Sequence, residues 1–257
     1  MRLAGTVVLI TGGGGGLGSA SARQLHGLGA HVVLFDQVEG KAKALCAELG
    51  ERADFVVGNA LDAADTARAI EVAAAAGPLR GVVATAGGGT KGGRTVNRNG
   101  SPHDLDDFRE TLDLNVISAF NTLRLAGAHM ASLEPMDDDD QRGAMVFTAS
   151  IAGYEGQIGQ IAYAMAKAAV IGMIVPAARD LSVLGIRVNA IAPGTMNTPA
   201  WEGGNPEVKA ALEAKVPFPR RFGEPSEFGE LAAHLLSNSY INGQVVRLDG
   251  GIHFDPK

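Results

Sequence analysis

The chain has 257 residues, 46% of them hydrophobic and 19% charged, and carries a formal charge of −6. That balance describes a well-filled globular chain and excludes the basic face that a nucleic acid or an anionic membrane surface requires. Its 35 glycines, about twice the usual ~7%, follow no triplet period, which excludes collagen and implies many close backbone approaches.

In chain order, short β-branched apolar runs alternate with stretches at helical spacing, the pattern of a parallel sheet with crossover helices. Strands are expected at Thr6–Ile10, His31–Phe35, Asp54–Val57, Gly81–Thr85, Ala144–Thr148, Arg187–Ala192 and Gln244–Leu248. Helices are expected at Ser19–Leu28, Ala63–Ala75, Leu105–Ala131, Gln160–Leu184, Asn205–Ala214 and Pro225–Ser237. Pro206 and Pro225 suit first helical turns, whereas Pro176 falls inside a helix and predicts a bend. The fold class is therefore α/β, a doubly wound sheet of seven parallel strands with helices on both faces. With no repeat and no Pro- or Ser-rich linker, residues 1–257 form one domain.

The uncharged opening Leu3–Ala22 holds seven glycines and four Ser or Thr, so it reads as strand, loop and helix and not as a signal peptide. A lone cysteine, Cys46, forms no intrachain disulfide and fits a reducing compartment, with the cytoplasm as the expected location. The run Asp137–Asp140 lacks the alternating spacing of a calcium loop and reads as a solvated turn; no metal site is expected.

Thr11–Gly18, T-G-G-G-G-G-L-G, follows the first strand and opens the first helix. In that context missing side chains let backbone amides and the positive helix end approach a pyrophosphate. Eighteen residues past Gly18, Asp36 ends the second strand, where a carboxylate accepts from ribose hydroxyls and repels a 2′-phosphate. An ordinary turn residue is the alternative. Gln37 follows it and no Arg or Lys lies in Gly12–Gly18, so NAD is favoured over NADP.

Ser150 ends the fifth strand, and Tyr163 and Lys167 stand four apart on one helix face. Hydride exchange with a secondary alcohol needs a group that also moves the hydroxyl proton. A phenol of pKa near ~10 is a poor base at neutral pH, and a neighbouring ammonium lowers it. Ser150 would hold the substrate oxygen. Taken alone, Tyr-x-x-x-Lys fits an exposed amphipathic pair as well.

Together these motifs, with Pro193-Gly194 and Thr198, resemble the short-chain dehydrogenase/reductase family across essentially the whole chain. The resemblance implies a Rossmann-like fold and a catalytic set of Ser150, Tyr163, Lys167 and Asn115, the last matching a family asparagine that supports a proton relay. It implies cofactor contacts at Gly12, Gly16, Leu17, Gly18, Asp36, Ala86, Gly87, Tyr163, Lys167, Pro193, Gly194 and Thr198. The chain departs from the family where N-N-A-G reads Ala84-Thr85-Ala86-Gly87. It departs again where the adenine-side aspartate is replaced near Asn59-Ala60-Leu61, with Asp62 shifted by two.

Glu155–Gln160, Val216–Gly223 and Val246–Gly251 further resemble the short-chain 3-hydroxyacyl-CoA dehydrogenase branch, as do the loops Gly87–Ser101 and Glu134–Arg142. That likeness implies NAD-dependent interconversion of a (3S)-3-hydroxyacyl-CoA and its 3-oxoacyl-CoA, with Ser150, Gln157 and Tyr163 on the substrate side. The segment at about 195–221, with Met196, Trp201 and Phe218, reads as an apolar lid or as core packing. Lys91, Arg94 and Arg98, or Lys209, Lys215 and Arg220, could meet coenzyme A phosphates or be solvated surface charges. The alternatives are a dehydrogenase of a steroid or other secondary alcohol, a 3-oxoacyl-carrier-protein reductase, or a non-enzymatic dinucleotide-binding protein. The family implies a homotetramer or homodimer built through the long middle helices and the last strand.

Overall fold

A computed structural model describes residues 1–89, 91–199 and 205–256. Strands β1 (Val7–Thr11), β2 (His31–Asp36), β3 (Ala53–Val57), β4 (Leu79–Ala84), β5 (Gly143–Thr148), β6 (Ile186–Pro193) and β7 (Val245–Leu248) form one sheet. Its order is β3-β2-β1-β4-β5-β6-β7 and every pairing is parallel. This is the expected doubly wound, Rossmann-like arrangement. The order reverses between β1 and β4, which opens a crevice at the carboxyl ends of the strands.

Both sheet faces are covered, so the central strands are apolar at nearly every position instead of alternating. Val7, Leu9, Val33 and Phe35 point to one core, while Val8, Ile10, Val32 and Leu34 point to the other. Helices α1 (Gly16–Gly27), α2 (Glu39–Leu49) and α8 (Pro225–Ser237) cover the second of these cores. The first is covered by α3 (Ala63–Ala76), α5 (Ser118–Ala131) and α6 (Ile161–Ser182).

Two differences from the sequence expectation have physical causes. Helix α2 went unread because it buries only Ala42 and Leu45, too few to print an apolar period. The single expected helix Leu105–Ala131 is α4 (Leu105–Leu112), a π-helical turn Asp113–Ile117 and α5; one extra residue in a turn hardly disturbs the hydrophobic spacing. Helix α6 runs through Pro176, and its hydropathy of 1.7 over 18 residues meets the length and composition of a membrane span. Here that apolarity seats it on the sheet, through Val170, Ile174 and Ala178. The remaining short helix, α7 (Pro206–Glu213), starts on an Asn205 cap that accepts from Glu207 N at 2.9 Å. Trp201 lies outside the described residues. In the acidic turn, Asp137 accepts from Gln141 N and Gln141 Nε2, both at 3.0 Å, which closes the loop on itself.

Arg187 on β6 ties the far side together. Its guanidinium donates to Leu235 O (2.8 Å) and Leu236 O (2.6 Å), carbonyls at the end of α8 that no helical amide reaches, and to Ile241 O (2.9 Å) in the loop that follows. Burial pushes its pKa down to about 10, which leaves it charged at neutral pH. Arg187→Leu strands those buried acceptors and should cost about 3 kcal/mol of unfolding free energy in urea titration. A loss below about 1 kcal/mol, the worth of one ordinary hydrogen bond, would overturn this account.

Candidate active site

The β1–α1 loop closes against the end of β4. Gly12 has φ +67°, and a methyl on it would stand 2.8 Å from Ala86 N. A methyl on Gly18 would enter the Gly12 carbonyl and stand 2.8 Å from Thr85 Oγ1; one on Gly16 would stand 2.9 Å from Thr198 Cβ. No side chain caps α1 and no acidic residue occupies its first turn, so its first amides point into open space. Such a helix end, stripped of Cβ atoms, fits a pyrophosphate. Where the family pattern has an asparagine side chain, the Thr85 hydroxyl donates to Thr11 O at 2.7 Å and locks β4 to β1.

Asp36 is held from both sides: Oδ2 accepts from Gly14 N at 2.8 Å and Oδ1 from Val38 N at 2.9 Å. It lines a cavity of about 280 Å³ with Gly12, Gly58 and Ala86. Each oxygen keeps a lone pair for a ribose hydroxyl. The shifted Asp62 is committed elsewhere, since it caps α3 by accepting from Ala64 N and Asp65 N. Asn59 Oδ1 instead accepts from Leu61 N at 3.0 Å and lies 3.4 Å from Gln37 Nε2.

Around the corner, a cleft of about 890 Å³ brings together Leu17, Gly87, Ser150, Tyr163, Lys167 and Thr198. Pro193 and Gly194, where β6 ends, line it too. Ser150 lies two residues past β5, its Oγ accepting from Ala152 N at 3.1 Å. Tyr163 and Lys167 occupy the first two turns of α6, with Nζ 5.6 Å from the phenol ring centroid. Lys167 Nζ donates to Thr148 O at 3.0 Å. Burial pushes this ammonium down to about 8. Burial also pushes the Tyr163 phenol up, partly offset by its hydrogen bond with Ser150. The protein by itself therefore holds the phenol protonated.

Asn115 sits inside the π-helical turn and is buried. Its Oδ1 accepts from Gly88 N at 3.0 Å while its Nδ2 donates to Gly88 O at 3.1 Å and Thr111 O at 3.0 Å. The amide thus grips one residue of the Gly87-Gly88 turn by both backbone groups. A methyl on Gly87 would collide with Asn115 Oδ1 at 2.8 Å, with Lys167 Nζ 3.5 Å away.

On the substrate side, Gln157 lies in an adjoining groove with Arg94 and donates to Asp255 O at 3.1 Å, while Gln160 lines the cleft. Two further cleft residues escaped the sequence reading, Thr148 and Lys41; the latter belongs to the unread α2. Of the basic candidates, Lys91 lines the cleft and pairs with Asp107 at 2.8 Å; Lys209 donates to Asn197 Oδ1 at 3.0 Å. In the expected lid, Met196 is buried and lines the cleft, whereas Phe218 is 82% exposed.

A short-chain dehydrogenase family model, described as Enoyl-(Acyl carrier protein) reductase, matches residues 13–253. The chain is 39% identical over 253 residues to human 3-hydroxyacyl-CoA dehydrogenase type-2, covering 98% of this chain and 97% of that protein. The Drosophila melanogaster protein of the same name is 39% identical over 251 residues, covering 97% and 98%. The crystal structure of 3-hydroxyacyl-CoA dehydrogenase type-2 from Mycobacterium avium superposes with a TM-score of 0.96 at 51% identity, over 98% of both chains. With the glycine cradle, the anchored carboxylate and the Ser–Tyr–Lys cluster in one crevice, the chain belongs to the short-chain dehydrogenase/reductase family, oxidoreductases that use a nicotinamide dinucleotide.

Proposed function

We propose that this protein is an NAD-dependent 3-hydroxyacyl-CoA dehydrogenase, interconverting a (3S)-3-hydroxyacyl-CoA and the 3-oxoacyl-CoA. The observation that carries the reading is the placement of Tyr163 between the Ser150 hydroxyl and a fully buried lysine, at the open end of a dinucleotide cradle. The names and full-length similarity of the human, insect and mycobacterial relatives support the substrate class. The anchored Asp36 carboxylate supports NAD, because it accepts from a ribose diol and repels a 2′-phosphate.

Gly12, Gly16, Leu17 and Gly18 receive the pyrophosphate, Asp36 the ribose, and Ala86, Gly87, Pro193, Gly194 and Thr198 the nicotinamide side. When bound, the nicotinamide supplies hydride transfer and, in its oxidised form, a positive charge. Ser150 holds the substrate oxygen by hydrogen bond, which stabilises charge developing there. Tyr163 takes the hydroxyl proton during oxidation and returns it during reduction. Lys167, pushed down by burial to about 8, passes protons between the phenol and solvent, and Asn115 holds the Gly88 turn that walls this route.

Oligomer formation has its own support. Ile117 and Phe120 on the middle helical segment and Met165 and Val175 on α6 are 43–53% exposed, and Phe120 lines a groove between α5 and α6 with Met173 and Ala177. Ala119 and Leu123 on the same segment turn inward, into the sheet core. We propose a homodimer or homotetramer through this face, to which burying Phe120 against a second copy would contribute about 1–2 kcal/mol.

Acetoacetyl-CoA should be reduced with NADH and much more slowly with NADPH, and Tyr163→Phe should lower kcat/KM by about 10²–10⁴. A loss of only a few-fold would sink the acid/base assignment; turnover of a steroid or free alcohol but of no CoA ester would move the substrate. Because burial raises the Tyr163 pKa, phenolate is scarce at neutral pH. Oxidation should therefore accelerate with pH by up to about tenfold per unit. Reduction, which uses the phenol, should stay flat and then fall above a pH of about 8 as Lys167 loses its proton. Parallel profiles in the two directions would contradict this. Phe120→Glu should shift light-scattering mass to a smaller species, and an unchanged mass would reject the proposed interface.

A further inference from the structure

Arg247, the third residue of β7, sits far from Tyr163 in sequence but beside the loop that leaves Ser150. Its Nη2 donates to Glu155 Oε1 at 2.7 Å and to Ile252 O at 2.8 Å, while Nε donates to Asp249 Oδ2 at 2.6 Å. These side chains are 30%, 24% and 8% exposed for Arg247, Glu155 and Asp249, so the charges meet partly shielded from water, with Asp249 the most enclosed. The second oxygen of Glu155 meets His253 Nδ1 at 2.9 Å.

The same tail is plugged into the site by apolar contacts. Ile151, the residue after Ser150, is fully buried in a small cluster of its own with Ile252 of the tail and Val216 of the lid segment, and Phe254 packs against them. Backbone bonds continue the attachment: Ile158 N donates to Pro256 O at 3.0 Å, and Phe218 N to Gly250 O at 3.2 Å. Ser150 therefore has the sheet behind it and a separate polar and apolar brace in front. That brace comes from residues 247–256; Asp249 in it backs Gly194, and none of its hydrogen bonds among the described residues goes to Gly12, Gly16 or Gly18.

We infer that Arg247 is a positioning residue: with Glu155 and Asp249 it straps the C-terminal tail across the Ser150–Gln160 loop and fixes where Ser150 presents its hydroxyl to substrate. The inference rests on the proposed role of Ser150. An arginine suits the task because its planar fork bonds two carboxylates at once, which a lysine ammonium does not do in a fixed plane. Displacing a substrate-holding hydroxyl by about 1 Å costs on the order of 10²-fold in rate, so the strap acts on chemistry while the pyrophosphate and ribose end, at Gly12–Gly18 and Asp36, lies outside its bonds.

The test compares Arg247→Met, Arg247→Lys and Glu155→Gln in acetoacetyl-CoA reduction, with NADH affinity read by fluorescence. Arg247→Met should lower kcat/KM by about 10- to 100-fold while the NADH Kd moves less than about twofold, and Glu155→Gln should show the same split more weakly. Arg247→Lys should recover little. The decisive arm is Arg247→Met in a Ser150→Ala background, where the strap has nothing left to aim and should add less than about twofold, since groups acting as a unit are non-additive. Full additivity, or a parallel loss of NADH binding, would make Arg247 a purely structural residue and overturn the inference. If Arg247→Met does not fold, Glu155→Gln in the same background decides by the same criterion. Should Ser150→Ala alone leave the rate unchanged, the reading of the site itself falls, and that outcome is separate from the strap.

Discussion

One ammonium organises this site. Lys167 Nζ is fully buried and spends one proton on Thr148 O at 3.0 Å, which pins the second turn of α6 to the end of β5. Placing a charge there costs desolvation, and its pKa falls to about 8 in consequence. The helix cannot slide without stranding that proton, so Tyr163, one turn earlier, is held over the same strand end. Everything else in the crevice is arranged around this fixed pair: Ser150 on the β5 side, Gly87 on the β4 side, and the cradle glycines beyond.

The π-helical turn serves the same pair from behind. A regular helix from Leu105 to Ala131 would aim residue 115 differently; the extra residue in the turn Asp113–Ile117 lets Asn115 face the Gly88 backbone and satisfy both its N–H and its C=O. Single π turns inside helices gather at functional sites because they redirect one side chain without ending the helix. Here the redirected amide seals the turn next to Lys167. The absence of a Cβ at Gly87 is the complementary requirement, since Asn115 Oδ1 occupies that space.

How much of this was legible in the sequence depended on whether a signal was local. The cradle, Asp36 and the Ser150, Tyr163 and Lys167 set are each written in a few adjacent residues, and the strands that carry them are apolar at nearly every position. The π-helical turn left no mark, because the apolar period on either side of it hardly changes. Helix α2 left none either, with only Ala42 and Leu45 buried, and its loss hid Lys41 from the reading of the cleft. Gln157 and Gln160 differ by three residues in a turn, and only backbone direction decides which one lines the cleft. The tail strap was invisible for a related reason: Arg247 and Glu155 are 92 residues apart.

Lys41 bears on cofactor choice through flexibility as much as charge. It is exposed and reaches the cleft on a stem of four methylenes, whereas Asp36 is clamped by Gly14 N and Val38 N on separate oxygens. A clamped anion cannot retreat from a 2′-phosphate, so its repulsion is paid in full; a mobile ammonium loses side-chain entropy of up to about 2 kcal/mol to hold one place. On the proposed reading the rigid group sets the selectivity and the mobile one contributes a diffuse attraction that any dinucleotide phosphate receives. On that balance Lys41 strengthens the binding proposed for NAD through the pyrophosphate without cancelling the discrimination proposed for Asp36.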